Sequence, residues 1–254
     1  MESSRTSVAV QNARGLTGPE GALALFALAE AQAQFAADMS LDRFVARVAE
    51  LAVDIDPSGL NDYLDFLLRK DVDRNLIIDG LLPAVARHLG SQWFQNRMPW
   101  SDVSIGTGRL EQAAIGLAGY VPVATPLAQL LIVVPREEDH SFGATILADQ
   151  LRRRSIAVTV AADLGSGQLG PVMTAQAPDL VAVSASSKST LRVLPDYLSA
   201  LRGTDDFTGP IFIGGGVTAL DTPLPRFGFD AEITSLAEMA DASIRAGLAR
   251  KAPR

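Results

Sequence analysis

Up to about residue 120 the apolar positions of this chain recur at helical spacing; beyond it they fall in short continuous runs. Pro19 and Glu20 open the first helical pattern, which continues over 22–39, with a proline and an acid in the first turn where the missing N–H and the helix dipole favour them. Ser40 is placed to cap a second helix, 41–55, whose Phe44, Val48 and Leu51 share one stripe. Asp56-Pro57-Ser58-Gly59 is a break. A third helix is predicted over 60–70, with Tyr63, Leu64 and Leu67 at helical spacing. A fourth starts near Asp73 and carries Leu76, Ile77, Leu81 and Val85, with a kink expected at Pro83. Past Gly90, Trp93 and Trp100 a further helix covers 101–118. No period-two alternation occurs before residue 120, so the first half predicts a helical bundle.

The second half predicts strands at 130–134, 156–161, 180–183, 211–213 and, more weakly patterned, 231–234. Helices fit 142–154, 169–176, 190–202, 218–227 and 236–251, the last with Ser235 and Glu238 as a capping box. Five strands alternating with helices predict an α/β, doubly wound, five-stranded parallel sheet of flavodoxin-like order, with its switch point between the first and third strands. The expected organisation is a polar leader (1–18), a helical cap (19–120), a linker (121–128) containing Pro122 and Pro126, and a Rossmann-like domain (129–254).

Composition narrows the function classes. The hydrophobic fraction of 48% and charged fraction of 20% are those of a globular chain. A net charge of -7 argues against broad nucleic-acid or anionic-membrane binding. With no cysteine there is no disulfide, thiolate nucleophile or cysteine metal site, which suits a cytoplasmic protein. No apolar run reaches the roughly 18 residues of a membrane span, and the leader lacks a signal peptide's apolar core. Two histidines and no nucleophile–base pair give little support for stand-alone catalysis, so a non-enzyme is expected.

The chemistry concentrates in Arg136-Glu137-Glu138-Asp139-His140-Ser141-Phe142-Gly143, the first strand-to-helix loop, where open α/β sheets hold their ligands. A magnesium-binding phosphorylation receiver would also need an aspartate after the third strand and a lysine after the fifth. Ser184 and Thr234 stand there instead. A nucleotide phosphate is opposed by Glu137, Glu138 and Asp139. The Gly214-Gly215-Gly216 run follows the fourth strand and lets a flat ligand or a loop approach the backbone. Plainer roles stand beside these: His140 as an unliganded polar loop residue, Ser184 and Ser186 as strand terminators, Glu137 and Asp139 as solvated acids. His88 and Arg109 read as helix-surface residues and Trp100 as core, while Trp93 reads as either core or lid.

Glu138-x-His140-x-x-Gly143 resembles the Asp-x-His-x-x-Gly motif of cobalamin-binding domains. The resemblance implies His140 as the cobalt ligand through Nε2, Glu138 as the acid on Nδ1, and a nucleotide slot lined by Ser184, Ser186, Gly214 and Gly215. Leu89-Gly90-Ser91-Gln92-Trp93, Trp100 to Gly106 and Arg109-Leu110 resemble the light-responsive AerR/PpaA antirepressors, whose relatives include the AppA carboxyl-terminal domain. The resemblance spans roughly residues 60 to 235. It implies a cobalamin-binding light or redox sensor (adenosyl- or hydroxocobalamin) that regulates transcription by binding a repressor protein, with neither direct nucleic-acid contact nor a membrane. A homo-oligomer is compatible with it.

Three departures bear on this. Glutamate is one methylene longer than aspartate, which predicts a looser or rearranged contact with Nδ1. The Ser-x-Leu signature reads Ser184-Ala185-Ser186. The Glu-His pair of other cobalamin caps is replaced by Val103-Ser104, so Trp93 and Val103 are the residues expected at the upper face. Alternatives are a corrinoid methyl carrier of a methyltransferase system, which the missing pair disfavours, and a heme- or bilin-binding sensor.

Overall fold

The computed structural model describes residues 41–119, 123–205, 207–219, 223–225 and 227–251. The predicted leader and the helix over 22–39 lie outside the described residues, as do residues 121–122 of the linker. The chain divides into two compact units after Gly119.

The described part of the first unit is helical. Helix α1 (Leu41–Val53) buries Phe44, Val48 and Ala52, and α2 (Ser58–Arg69) buries Leu60, Leu64 and Leu67. Asp73 caps α3 (Arg74–Leu76), accepting from the N–H groups of Asn75 and Leu76 at 2.7 and 3.1 Å. The kink expected at Pro83 takes a specific form. A π turn, Ile77–Leu81, joins α3 to α4 (Leu82–Phe94), with the Leu82 N–H bonded to the Ile77 carbonyl five residues back. This widened turn places Pro83 at the start of α4, where its missing N–H is tolerated. Helix α5 (Trp100–Ala118) presents Val103, Gly106, Leu110, Ala113 and Ala114 as one buried stripe, and α1, α4 and α5 pack together. Arg109 is not an ordinary surface arginine: its guanidinium donates to the Ala52 and Asp54 carbonyls at 3.0 and 2.5 Å, capping the end of α1.

The second unit has strands β1 (Ala128–Pro135), β2 (Ile156–Leu164), β3 (Leu180–Ser184), β4 (Ile211–Gly214) and β5 (Ala231–Ile233). They pair in parallel in the order β2-β1-β3-β4-β5, the expected doubly wound order. The continuous apolar run of β1 reflects burial on both faces. Leu130, Ile132 and Val134 pack with Ala144, Ala148 and Leu151 of α6 (Phe142–Arg152) and Met239 and Ala242 of α9 (Leu236–Lys251). Leu131 and Val133 face Leu169 and Met173 of α7 (Leu169–Gln176) and Leu194, Tyr197, Leu198 and Leu201 of α8 (Lys188–Arg202). Five parallel strands thus send their carboxyl ends, and the loops that follow, to one edge.

One local expectation is overturned and another is met in part. The helix predicted over 218–227 is absent among the described residues, where a 3-10 turn, Gly216–Ala219, is followed by irregular chain at 223–225. Pro223 and Pro225 remove two N–H donors and disfavour helical backbone at the residues before them. At the start of α9 the capping box is only half made. Ser235 accepts from the Glu238 N–H at 3.2 Å, but the Glu238 carboxylate accepts from the N–H and hydroxyl of Thr234.

A side chain at Gly106 would meet Leu89 and Val53 at 2.8 and 2.9 Å, whereas one at Gly108 would meet nothing within 4 Å. Gly108→Ala is therefore expected to gain about 0.5–1 kcal/mol from helix propensity. Gly106→Ala is expected to lose about 1 kcal/mol net, because overpacking costs about 1–3 kcal/mol. Thermal or urea unfolding of the two variants reads the opposite signs.

Candidate functional site

The loop after β1 is organised by a buried acid. The side chain of Glu138 is 0% exposed, while that of His140, two residues on, is 55% exposed. Glu138 Oε1 accepts from His140 Nδ1 at 2.6 Å and from the His140 N–H at 3.0 Å. Its other oxygen accepts from the Ser186 N–H at 2.5 Å and from the Thr190 hydroxyl at 2.8 Å. The longer side chain does not loosen the contact with the imidazole, one of the two outcomes expected from the sequence, and it lets the carboxylate reach across to the loop after β3 as well.

This arrangement fixes hydrogen positions. A carboxylate only accepts, so Thr190 donates to it; Ser187, 2.8 Å from the Thr190 hydroxyl, then donates to Thr190. Ser187 also accepts from the Thr190 N–H at 3.2 Å as the cap of α8, and Ser189 lies 2.7 Å from it as a further donor. In the neutral imidazole the proton sits on Nδ1, leaving the Nε2 lone pair without a hydrogen-bond partner among the described residues.

The glycines after β4 have a packing reason. Gly215 has φ 105°, and a side chain there would come within 2.4 Å of the Ala185 carbonyl. Gly214 pairs with Ser184 in the sheet, and the Gly216 N–H donates to the Ser186 hydroxyl at 3.3 Å. The run thus seats the β4 loop against the β3 loop rather than standing apart from it. Gly143, in the first turn of α6, faces open space: an added Cβ would meet nothing within 4 Å.

Glu138, His140, Ser184, Ser186, Gly214 and Gly215 therefore gather at the carboxyl edge of β1, β3 and β4, with Gly143 beside them. Trp93 and Val103 belong to the helical unit. Val103 is 6% exposed on the buried stripe of α5, a packing residue rather than an open face. The expectation that Trp100 is core is overturned. It is 46% exposed and Trp93 is 48% exposed, their rings 5.2 Å apart at 57°. They shield each other at the corner between α4 and α5. Glu137 is not simply solvated, because its carboxylate takes a hydrogen bond from Tyr197 at 3.0 Å. Sequence reasoning missed Thr190, Ser187 and Tyr197. The signal for the first two was Ser187-x-x-Thr190 behind the third strand, a helix-capping pattern pointing back at the acid.

With this geometry in place the comparisons with known proteins are informative about fold. The monomethylamine corrinoid protein of Methanosarcina barkeri superposes with a TM-score of 0.60 over 78% of this chain and 96% of its own, at 16% identity. The fold is shared with a corrinoid protein. A cobalamin-binding protein of Desulfitobacterium hafniense DCB-2 matches at 18% identity over 80% of this chain and 98% of its own, with a TM-score of 0.40. In sequence, an uncharacterised 20.5 kDa protein in the bchF-crtJ intergenic region of Rhodobacter capsulatus is 25% identical over 142 residues, 54% of this chain and 74% of that one. No family model matches. Among the described residues no helix is long and apolar enough to cross a membrane.

The pair's electrostatics set a pH window. Burial pushes the Glu138 carboxyl up, but the bonds from His140, Ser186 and Thr190 and the imidazole charge outweigh it, leaving it below its ordinary 4.5. The bond to Glu138 raises His140 above its ordinary 6.5, against burial and with help from the charges of Glu138 and Asp139. Folding thus favours ionised Glu138, a contribution present above pH 4.5 and lost as pH falls through its lowered value. It also favours protonated His140, a contribution complete below pH 6.5 and lost as pH rises through its raised value. Both are fully present between about pH 4.5 and 6.5. His140→Ala should therefore cost more stability at pH 5.5 than at pH 9, measured by urea unfolding; an equal cost at both would refute the coupling.

Proposed function

We propose that this chain binds a cobalamin, with His140 as the lower ligand of cobalt, and works as a light or redox sensor that acts on transcription through a repressor partner. The observation that carries the ligand assignment is the buried Glu138 on His140 Nδ1, which in the neutral imidazole leaves the Nε2 lone pair free and directed towards a metal. One imidazole nitrogen is a full protein contribution to a metal held in a macrocycle, whereas an ion without such a ring draws several side-chain ligands. Among the described residues no three His, Asp or Glu side chains gather for such an ion. The open space at Gly143 leaves room beside the imidazole, and the fold shared with a corrinoid protein supports the same cofactor class. Bound cobalamin would supply an upper cobalt–ligand bond that light can break. The chain's own residues orient the imidazole, hold its tautomer and keep the carboxylate from water.

The relative named for its place between bchF and crtJ supports a photosynthesis-gene context, and the net charge of -7 favours action through a protein rather than on DNA. A second reading, a methyl carrier serving a methyltransferase, is favoured by the likeness to the monomethylamine corrinoid protein. Heme or a bilin in the same cleft is a third outcome that the same experiment distinguishes.

The full chain is incubated in the dark with hydroxocobalamin, adenosylcobalamin or heme, desalted, and its absorption recorded before and after illumination. A retained corrin spectrum is expected, and His140→Ala should weaken retention by roughly 10–100-fold. Absence of any corrin band with either cobalamin would overturn the proposal, and wild-type retention by His140→Ala would remove the ligand assignment. Methyl transfer from the methylcobalamin-loaded chain to an acceptor enzyme would select the carrier reading.

A further inference from the structure

The histidine loop is also held from the side away from the serine and glycine loops, by a residue with no part in the Glu138 cluster. Tyr197 is buried on α8 among Leu131, Val133, Leu194 and Leu201, and only its hydroxyl leaves this apolar packing. The phenol oxygen accepts from the Arg136 N–H at 3.1 Å. Its single proton has two acceptors, the Leu164 carbonyl at 2.5 Å and the Glu137 carboxylate at 3.0 Å. Leu164 ends β2 and Arg136 follows β1, so one oxygen closes the fork between two strand ends. The Arg136 side chain closes the same fork from outside. Its Nε reaches the Asp163 carboxylate at 3.3 Å, and its terminal nitrogen reaches the Asp163 carbonyl at 3.3 Å and the Gln168 side chain at 2.9 Å.

Arg136 and Glu137 are the two residues before Glu138. Because β1 lies between β2 and β3, the loop is anchored on one flank by Tyr197 to β2 and on the other by Ser186 and Thr190 beyond β3. A carboxylate that must meet three separate groups within 2.5–3.0 Å tolerates little drift of its own backbone. Without the phenol oxygen, the Arg136 N–H keeps only a 3.3 Å contact with the Leu164 carbonyl, and Glu137 loses its buried partner.

We propose that Tyr197 is a positioning residue for His140, fixing the imidazole's tautomer and direction by clamping Arg136 and Glu137 to the end of β2. Its effect on ligand affinity rests on the cobalamin reading above; its effect on the tautomer does not. Tyr197→Phe removes one oxygen and leaves the ring's packing intact. Ser243→Ala is the comparison: it removes another fully buried hydroxyl of the same unit, one that donates to the Met239 carbonyl at 2.7 Å, far along the chain from the loop.

The full chain, labelled with ¹⁵N-histidine, holds only His88 and His140, so the two rings can be resolved by NMR with the imidazoles neutral. In the wild type and in Ser243→Ala, His140 is expected as the Nδ1–H tautomer. In Tyr197→Phe the Nε2–H share should rise several-fold, and hydroxocobalamin affinity should fall roughly tenfold. An unchanged tautomer in Tyr197→Phe overturns the proposal whatever the affinity does, and so does the same tautomer shift in Ser243→Ala. If the wild-type chain retains no cobalamin, the function proposed above fails while the tautomer comparison still decides the role of Tyr197.

Discussion

A charged carboxylate with no exposed surface is tolerated only where its lone pairs are occupied, and at Glu138 that requirement organises the whole carboxyl edge of the sheet. The donors come from three places in the chain: the loop's own His140, the Ser186 main chain behind β3, and Thr190 in the first turn of α8. Taking one donor away leaves a buried charge short of a partner, which costs about 1–3 kcal/mol or more. The acid is therefore as much a fastener of β1 to β3 as it is a partner for the imidazole. The packing of the Gly214–Gly216 loop on Ala185 and Ser186 extends the fastening to β4.

The division of labour between the two flanks of β1 follows from strand order. At the switch point, β1 and β3 send their connections to opposite faces, opening a crevice at the edge. The exposed imidazole stands there. On the β2 side there is no such opening, and the fork is filled by Tyr197 and the Arg136–Asp163–Gln168 cluster. One side of the loop is thus built to meet a ligand and the other to hold still.

Much of this was legible in the residues. The parallel sheet showed in β1's unbroken apolar run, and Glu138 and His140 stood out because an acid and an imidazole two apart in a strand-to-helix loop have few structural uses. What stayed hidden depended on distance in space. Thr190 read as an ordinary helix start until the chain brought it 2.8 Å from a carboxylate 52 positions earlier. Tyr197 carried no signal in the sequence, because its ring packs as one more apolar residue of α8 and only its oxygen does otherwise. The absence of a helix among the described residues of 218–227 has a local cause: Pro223 and Pro225 decide the backbone before any packing begins. Trp100 stays half exposed because two indoles at a helix corner shelter one another.

The edges of the sheet bear on how the protein behaves in concentrated solution. β5 offers only three residues of main chain, one of them the charged Glu232. β2, at the other border, is a strand of nine residues, and the φ of 56° at Asp163 interrupts its extended conformation one residue before its end. The β5 border is too short to present the long, flat row of unpaired N–H and C=O groups that recruits strands from neighbouring molecules, whereas the β2 border is long and is broken only near its carboxyl end. Strand addition from a neighbouring molecule is thus confined to β2, where the repulsion between net-acidic chains opposes it.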